Sequence, residues 1–586
     1  MRPIRIQKAE KNKKQGNRGW IYLLAFLFPV LIFTLGFALK GVYPFGENSA
    51  LVVDGVHQYT AFYRELSEQL GKGTDWTWSA HAMGYNFYGL FCYYLCSPFS
   101  FLILQFMKFM YVNEAVTAVI LIKAGLCSVS MAWYSGKKYP GRKSMAVSLG
   151  CMYALSNFLI GYYSNVMWLD CIMLAVFFLV MWTERCICGK LSGHAFCCVE
   201  IRKLGCLVLA VLILAETGIH GIVSITDNGT ANRDIYVESE QEVCGLLESA
   251  GVDQVDYRAA IVNPLVRNEE MLYQLNGISM YSSTNTEVMW DFVKNMGFEN
   301  LENRFQYAGS TEVTDMLLGI RYLFCRNTRK LHTVYKKIGE SQSFDLYENP
   351  RALKAGYMVS DSVLDYAMEG TNPLEVQNRL LSGIAGKRLY KMQTVSSEAV
   401  WAGTVDFDIS LKEGEHGYLY IPGTEPETVT INGQDQKSDY WNNNFLDLGT
   451  YDTDTVVHVT AETGMQEAVL GTYRESDLDE IYEMLSSRQM DLKNGKGTIA
   501  AAKDGMLLLS IFYDPDMQIY VDGKKVDGKS IQGLTGVKLS AGTHTVTMKY
   551  RTPGLQAGAV LSILIAGILG ILWYISRRKM GISGRL

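Results

Sequence analysis

Residues 20–39, WIYLLAFLFPVLIFTLGFAL, contain no charged side chain. As a helix, such a run crosses the roughly 30 Å hydrocarbon core of a bilayer and satisfies its own backbone hydrogen bonds where water cannot. It follows MRPIRIQKAEKNKKQGNR, a strongly basic start. The run is longer than the apolar stretch of a cleaved signal, and no small-x-small cleavage site follows it. It therefore reads as a retained helix with its N-terminus in the cytoplasm.

Further candidate spans are 113–135, 144–163, 164–183, 203–222 and 555–576. The connections GKKYPGRKS (136–144) and ERCICGK…EIRK (184–203) are basic, as is the tail RRKMGISGR (577–585). With all three in the cytoplasm, the six helices alternate and both termini lie inside. The apolar segment 87–107, FYGLFCYYLCSPFSFLILQFM, then cannot cross, and Ser97-Pro98 offers a break in its middle. It is expected to be re-entrant or to lie in the outer interface, where such backbone must be buried in protein or line a cavity.

This topology leaves two pieces outside the cell membrane, the loop 40–87 and the segment 223–553. Residues 223–394 mix strand-like runs (DYRAAIV, IRYLFC) with helical ones (SEQEVCGLLESAG, EVMWDFVKNMG) and read as α/β. From 395 onward, short alternating runs are broken by turn signals. YLYIPGTEPETVTINGQ…LDLGTYDTDTVVHVTA and LLSIFYDPDMQIYVDGK…VKLSAGTHTVTMKY share one plan, with Asn-Gly and Asp-Gly suited to tight hairpins. The expected fold class is a multi-pass α-helical membrane protein with an extracytoplasmic α/β region and two tandem β-sandwich-like modules. Its parts are a basic cytoplasmic N-terminus (1–19), a helical region (20–222), the α/β region (223–394), modules at 395–465 and 466–553, a last span (555–576) and a basic cytoplasmic tail (577–586).

Charged residues make up 19% of the chain and the formal net charge is −5, so no basic surface points to a nucleic-acid partner. CICGK…HAFCCVEIRKLGC lacks the paired C-x-x-C spacing of a zinc site, and reduced thiols are expected there. Cys244 and Cys325 are the outward pair able to form a disulfide.

No Walker A loop, H-E-x-x-H or G-x-S-x-G elbow is present. What remains is ionisable groups near or within the membrane, each a functional candidate because its placement there is costly. Asp54, His57 and Gln58 share a face if DGVHQYTAFYRELSEQL is a short helix. Asp54 is then an N-cap, or a carboxylate that takes a proton from an acceptor hydroxyl or holds a metal against phosphate. Lys123 lies midway along its span and either receives a lipid phosphate or pairs with Asp170 in a purely structural ion pair. Trp76, Trp78, His81 and Asn86 lie in the aromatic stretch 75–89, which fits an interfacial belt or a surface for sugar faces and hydroxyls.

YPFGENSALVVDGVHQY, MGYNFYGLFCYYLCSPFSFL, ALSNFLIGYYSNVMWLDCIML, DMLLGIRYLF and IYVDGKKV…GVKLSAGTHTVTMKYRTPGLQAG, in that order, resemble the YfhO family of bacterial membrane proteins. The resemblance implies a GT-C type glycosyltransferase architecture. Such enzymes move a sugar from a polyprenyl-phosphate carrier to an acceptor on the outer membrane face, here a cell-envelope polymer such as lipoteichoic acid. They place a key acidic residue in the first outer loop, and Asp54 stands at that position. The resemblance makes Asp54 the catalytic candidate, with Lys123, His57, Gln58, Trp78, Asn86 and Asp170 as substrate-binding candidates. No cofactor is fixed by the sequence, and a divalent cation held by Asp54 is the one candidate. One departure stands out: residues 184–203 join two helices between which the family normally carries several more. A chain so shortened is expected to be impaired, inactive or dependent on a partner membrane subunit. The alternative is a non-catalytic envelope protein that binds glycan or partner proteins through its β-sandwich modules.

Overall fold

The computed structural model describes residues 19–72, 76–139, 142–187, 203–252, 257–301, 303–326, 335–366, 372–396, 398–399, 404–421, 428–431, 434–435, 441–442, 444–462, 467–493 and 495–583. The basic N-terminus and most of the cysteine-rich 184–203 connection, including the expectation that it binds no zinc, lie outside the described residues.

Among the described residues, five helical stretches are long and apolar enough to cross a membrane: Gly19–Leu39, Val112–Lys138, Lys143–Gly161, Leu207–Asp227 and Leu555–Leu572. A sixth helix, Val166–Ile187, falls on the span expected at 164–183. Gly19–Leu39 buries Ile21, Ala25, Pro29, Ile32, Phe33, Gly36 and Phe37, a stripe at helical spacing. Small residues let its neighbours come close, as packing in lipid requires. A Cβ on Gly125 would sit 2.5 Å from the Phe26 ring, so only glycine admits that contact. In helix Leu555–Ser583 the first 18 residues, Leu555–Leu572, are an apolar span without a charge and none of them is buried, as befits a helix solvated by lipid.

Segment 87–107 forms two short helical pieces, Phe87–Leu95 and Pro98–Phe106, bent by 96°. Ser97 caps the second, its hydroxyl accepting from Phe99 N–H at 3.2 Å, and Pro98 begins it without an N–H to continue the first.

Several helix ends meet on one side. Asn48–Ser49, after the first helix, pairs antiparallel with Ala231–Asn232, after Lys203–Asp227. Lys40 Nζ donates to Gly229 O at 2.9 Å. Arg233 donates to Glu114, in the first turn of Val112–Lys138, at 2.7 Å and lies 4.0 Å over the Tyr43 ring.

Beyond residue 227 the chain is built on sheets. A four-stranded sheet sets Arg258–Val262 parallel to Ile320–Arg326, with Phe344–Glu348 and Lys336–Glu340 added antiparallel. A five-stranded sheet (Lys391–Ser396, Glu467–Arg474, Glu415–Tyr420, Phe445–Thr450, Trp441–Asn442) shares one core with a second (Glu398–Ala399, Thr404–Leu411, Thr455–Glu462, Thr428–Ile431, Gln434–Asp435). Phe407, Ile409, Leu419, Leu446 and Val457 lie in that core. A further pair of sheets encloses Met358, Leu507, Leu509, Ile519, Val537 and Val546.

Two boundaries differ from the sequence reading. Glu467–Arg474, assigned to the second module by a division at 465/466, pairs with Lys391–Ser396 and Glu415–Tyr420 and completes the first pair of sheets. Gly356–Val359, assigned to the α/β region, is wholly buried and inserts beside Gly505–Phe512 in the second pair. Strand partners so distant in sequence leave no local periodicity by which to assign them. Cys244 and Cys325 are not joined by a disulfide.

Candidate functional site

Asp54 opens a single π turn, Gly55–Tyr59, in which Thr60 N–H bonds to Gly55 O, and helix Thr60–Lys72 continues from it. Asp54 occupies the cap position, yet its side chain makes no capping bond. Instead the amide of Asn165, just before helix Val166–Ile187, donates to Asp54 Oδ2 at 3.1 Å. Val53, the preceding residue, has φ +48° and is 67% exposed. A β-branched residue in the left-handed region is a genuine outlier, and such backbone persists where its surroundings hold it.

The π turn changes the face that a regular helix would present. An i→i+5 turn is wider than an α turn, so Asp54, His57 and Gln58 are not spaced as on the regular short helix expected. Gln58 is buried and its amide reaches Tyr94 Oη and Tyr281 O, both at 3.3 Å. Tyr94 belongs to a second π turn, Phe91–Leu95, so the two π turns meet through Gln58. Asn268, 1% exposed, fixes the large segment against them: its Nδ2 donates to His57 O at 2.8 Å and to Tyr281 O at 3.0 Å.

Two arginines complete the surroundings. Arg267 and Arg304 share one carboxylate, Glu299, at 3.8 and 3.2 Å. Arg304 Nε is buried without an acceptor. Burial and Arg267 push the His57 imidazole below its usual range; Asp54 opposes them and Arg304 adds to them. His57 is thus neutral near pH 7, and its Nδ1 accepts from Arg267 N–H at 3.4 Å. One carboxylate, one neutral imidazole and two guanidiniums with a single shared counter-ion make a site suited to a hydroxyl on one side and an anion on the other.

The sequence model of the family described as bacterial membrane protein YfhO matches residues 25–183 and 171–562. The chain belongs to the YfhO family. No curated protein and no solved structure matches it.

In this YfhO-family chain the other sequence candidates fall elsewhere. Lys123 is 1% exposed, lies 2.9 Å from Asp170 Oδ1, and donates to Val166 O at 2.9 Å. Those two contacts tie helix Val112–Lys138 to helix Val166–Ile187; the structure joins Lys123 to Asp170 and not to Asp54. Asn86 caps the next helical turn, its Oδ1 accepting from Gly89 N–H at 2.9 Å. Trp78 pairs with Asn86 across a two-residue ladder and packs on the core of the second pair of sheets. A Cβ on Gly84, which has φ +94°, would strike that indole at 2.5 Å. Sequence reasoning missed Asn165, Arg267, Arg304, Asn268 and Tyr281. Asn165 alone had a signal, since it stands in the SNVMWLD stretch that carries the family resemblance.

Asp54 is not in either group of described residues that gathers three metal-ligating side chains. Those groups are Glu65, Glu68 and His81, and Glu312, His416 and Glu475.

Proposed function

We propose that this YfhO-family protein transfers a sugar from a polyprenyl-phosphate carrier to a cell-envelope polymer on the outer membrane face. In this reading both termini are cytoplasmic, residues 223–553 are extracytoplasmic, and the paired sheets are two β-sandwich modules above a shortened GT-C-like helical region. A partner membrane subunit would supply the walls that the short 184–203 connection leaves out.

One observation carries the reading: the Asp54 carboxylate makes no capping bond to its own helix, accepts from Asn165, and acts on the same His57 imidazole as Arg267 and Arg304. Asp54 takes the proton of the acceptor hydroxyl as that oxygen bonds to the anomeric carbon. The bond from the same carbon to the carrier phosphate breaks, and the phosphate leaves with the electron pair, stabilised by the arginines. Lys123, neutralised by Asp170, has no part in this step.

The test is transfer of labelled sugar from lipid carrier to polymer in membranes carrying the protein or Asp54→Asn. Transfer at the wild-type level by the variant would falsify the assignment. A second reading rests on a cavity of about 820 Å³ lined by Tyr513, Asp514, Asp516, Gln518, Tyr550 and Arg551. Aromatic faces beside carboxylate, amide and guanidinium suit a glycan, as in a non-catalytic binding protein. Glycan retention unaffected by Asp54→Asn, with no transfer by either form, favours it.

A further inference from the structure

Helix Thr60–Lys72 runs on from the π turn of Asp54 and places Glu65 and Glu68 on one face. His81, in the 3-10 turn His81–Met83, meets them: its Nε2 lies 3.1 Å from Glu65 Oε2 and 3.2 Å from Glu68 Oε2. The other ring nitrogen, Nδ1, lies 2.8 Å from Leu275 O. A carbonyl can only accept, so Nδ1 carries a proton and Nε2 turns its lone pair toward two carboxylates unless the ring is doubly protonated.

Glu65 is fully buried, and among the described residues it has no lysine or arginine partner. Its Oε1 accepts from Gln69 Nε2 at 2.7 Å, while Oε2 receives no hydrogen bond. The Tyr85 hydroxyl, on a residue 5% exposed, lies near both carboxylates, with Ser79 as its side-chain neighbour. Unmatched polar atoms at such depth cost about 1–3 kcal/mol each unless a further group satisfies them. The three ligand atoms lie within 4.8 Å of one another. Donors at about 2.0 Å around a tetrahedral ion stand roughly 3.3 Å apart, close to the two separations observed. A histidine whose far nitrogen is held by a backbone carbonyl has the orientation usual in metal sites.

We propose that Glu65, Glu68 and His81 bind one divalent transition-metal ion, zinc by the nature of the donor set, as a structural fastening distinct from the Asp54 site. The ion secures residues 78–86 to the helix that carries Asp54, and through Leu275 to the large segment. Neither the site nor its test depends on sugar transfer.

Full-length protein in detergent, stripped with chelator, is titrated with Co²⁺ followed by visible absorption, and with Zn²⁺ followed by metal analysis and thermal unfolding. The wild type should take up about one equivalent and unfold at higher temperature with zinc. Glu65→Gln and His81→Gln should bind at least about 10-fold more weakly. Glu68→Gln, whose side chain is 21% exposed, serves where a buried substitution fails to fold. Glu312→Gln, in the other acidic group, should retain the full equivalent. Uptake by the wild type no greater than by folded Glu68→Gln, or an equal loss in Glu312→Gln, overturns the proposal in favour of a protonated His81 held by two carboxylates.

Discussion

Asn165 donates to Asp54 Oδ2 across 3.1 Å and joins the loop after the first helix to the start of helix Val166–Ile187. This bond occupies one carboxylate oxygen and orients the other. Asp54→Asn preserves the shape and can still accept from Asn165, so the fold should persist. Removing a positioned base lowers transfer by about 10²–10⁴-fold. Turnover of lipid-linked sugar in membranes, normalised to protein level, measures it.

Val53 sits in the left-handed region with its side chain largely in solvent. Few contacts are lost when it is shortened, so backbone conformation dominates the outcome. Glycine adopts φ +48° freely, whereas alanine keeps the clash of Cβ with the following carbonyl. Val53→Gly should therefore be more stable than Val53→Ala by about 1 kcal/mol. Paired thermal melts in one detergent decide this, and equal midpoints would show that the surroundings, not the residue, set the strain.

The buried pair Lys123–Asp170 predicts strongly non-additive behaviour. Either single substitution, Lys123→Met or Asp170→Leu, strands a charge and should destabilise by about 3–5 kcal/mol. The double variant removes both charges and should recover most of that loss. Sugar transfer by the folded double variant should stay near wild type; its collapse would return Lys123 to the phosphate site.

His416 is fully enclosed, with Asp447 at 2.9 Å and Glu475 at 3.8 Å. Burial works against its charge, but Asp447 first, then Glu312 and Glu475, outweigh it and raise the imidazole to about 9. A group whose folded value lies above its unfolded value of about 6.5 stabilises fully below the latter. That contribution is lost as pH rises through about 9. Thermal stability should thus fall between pH 6.5 and 9, and His416→Gln should flatten the decline. A decline of equal slope in the variant would assign the effect to other groups.

What the sequence disclosed follows from the range of the forces involved. An uncharged run must span or be buried, so helices Gly19–Leu39 and Val112–Lys138 were legible from composition and length. Ser97-Pro98 foretold the 96° bend because a cap followed by a residue without N–H stops a helix locally. The π turn at Gly55–Tyr59 was not legible, since nothing in GVHQY distinguishes an i→i+5 bond from an i→i+4 one; tertiary contacts from Asn268 and Tyr94 hold it. Asp54 could be named from its position, but its partner Asn165 lies 111 residues away and Arg267 binds His57 across 210. Such pairings exist only once parts of the chain far apart in sequence have packed together.

Arg267 and Arg304 bear the final prediction. Both lean on Glu299, so one carboxylate offsets two guanidiniums, and Arg304 Nε stays without an acceptor. An arriving phosphate would relieve their mutual repulsion and take up the spare donors. Hydrogen bonds of this charged kind contribute about 1.5–3 kcal/mol, which is roughly a 10- to 150-fold change in affinity. Arg304→Gln should weaken carrier binding within that range and raise KM for the lipid-linked sugar, and Arg267→Gln should do likewise. Because guanidinium geometry matters, Arg304→Lys should recover only part of the loss. Glu299→Gln should act in the opposite sense, freeing both arginines and tightening binding of a phosphorylated isoprenoid. Should Glu299→Gln weaken binding as much as Arg304→Gln, the arginines would be holding the fold and not the phosphate.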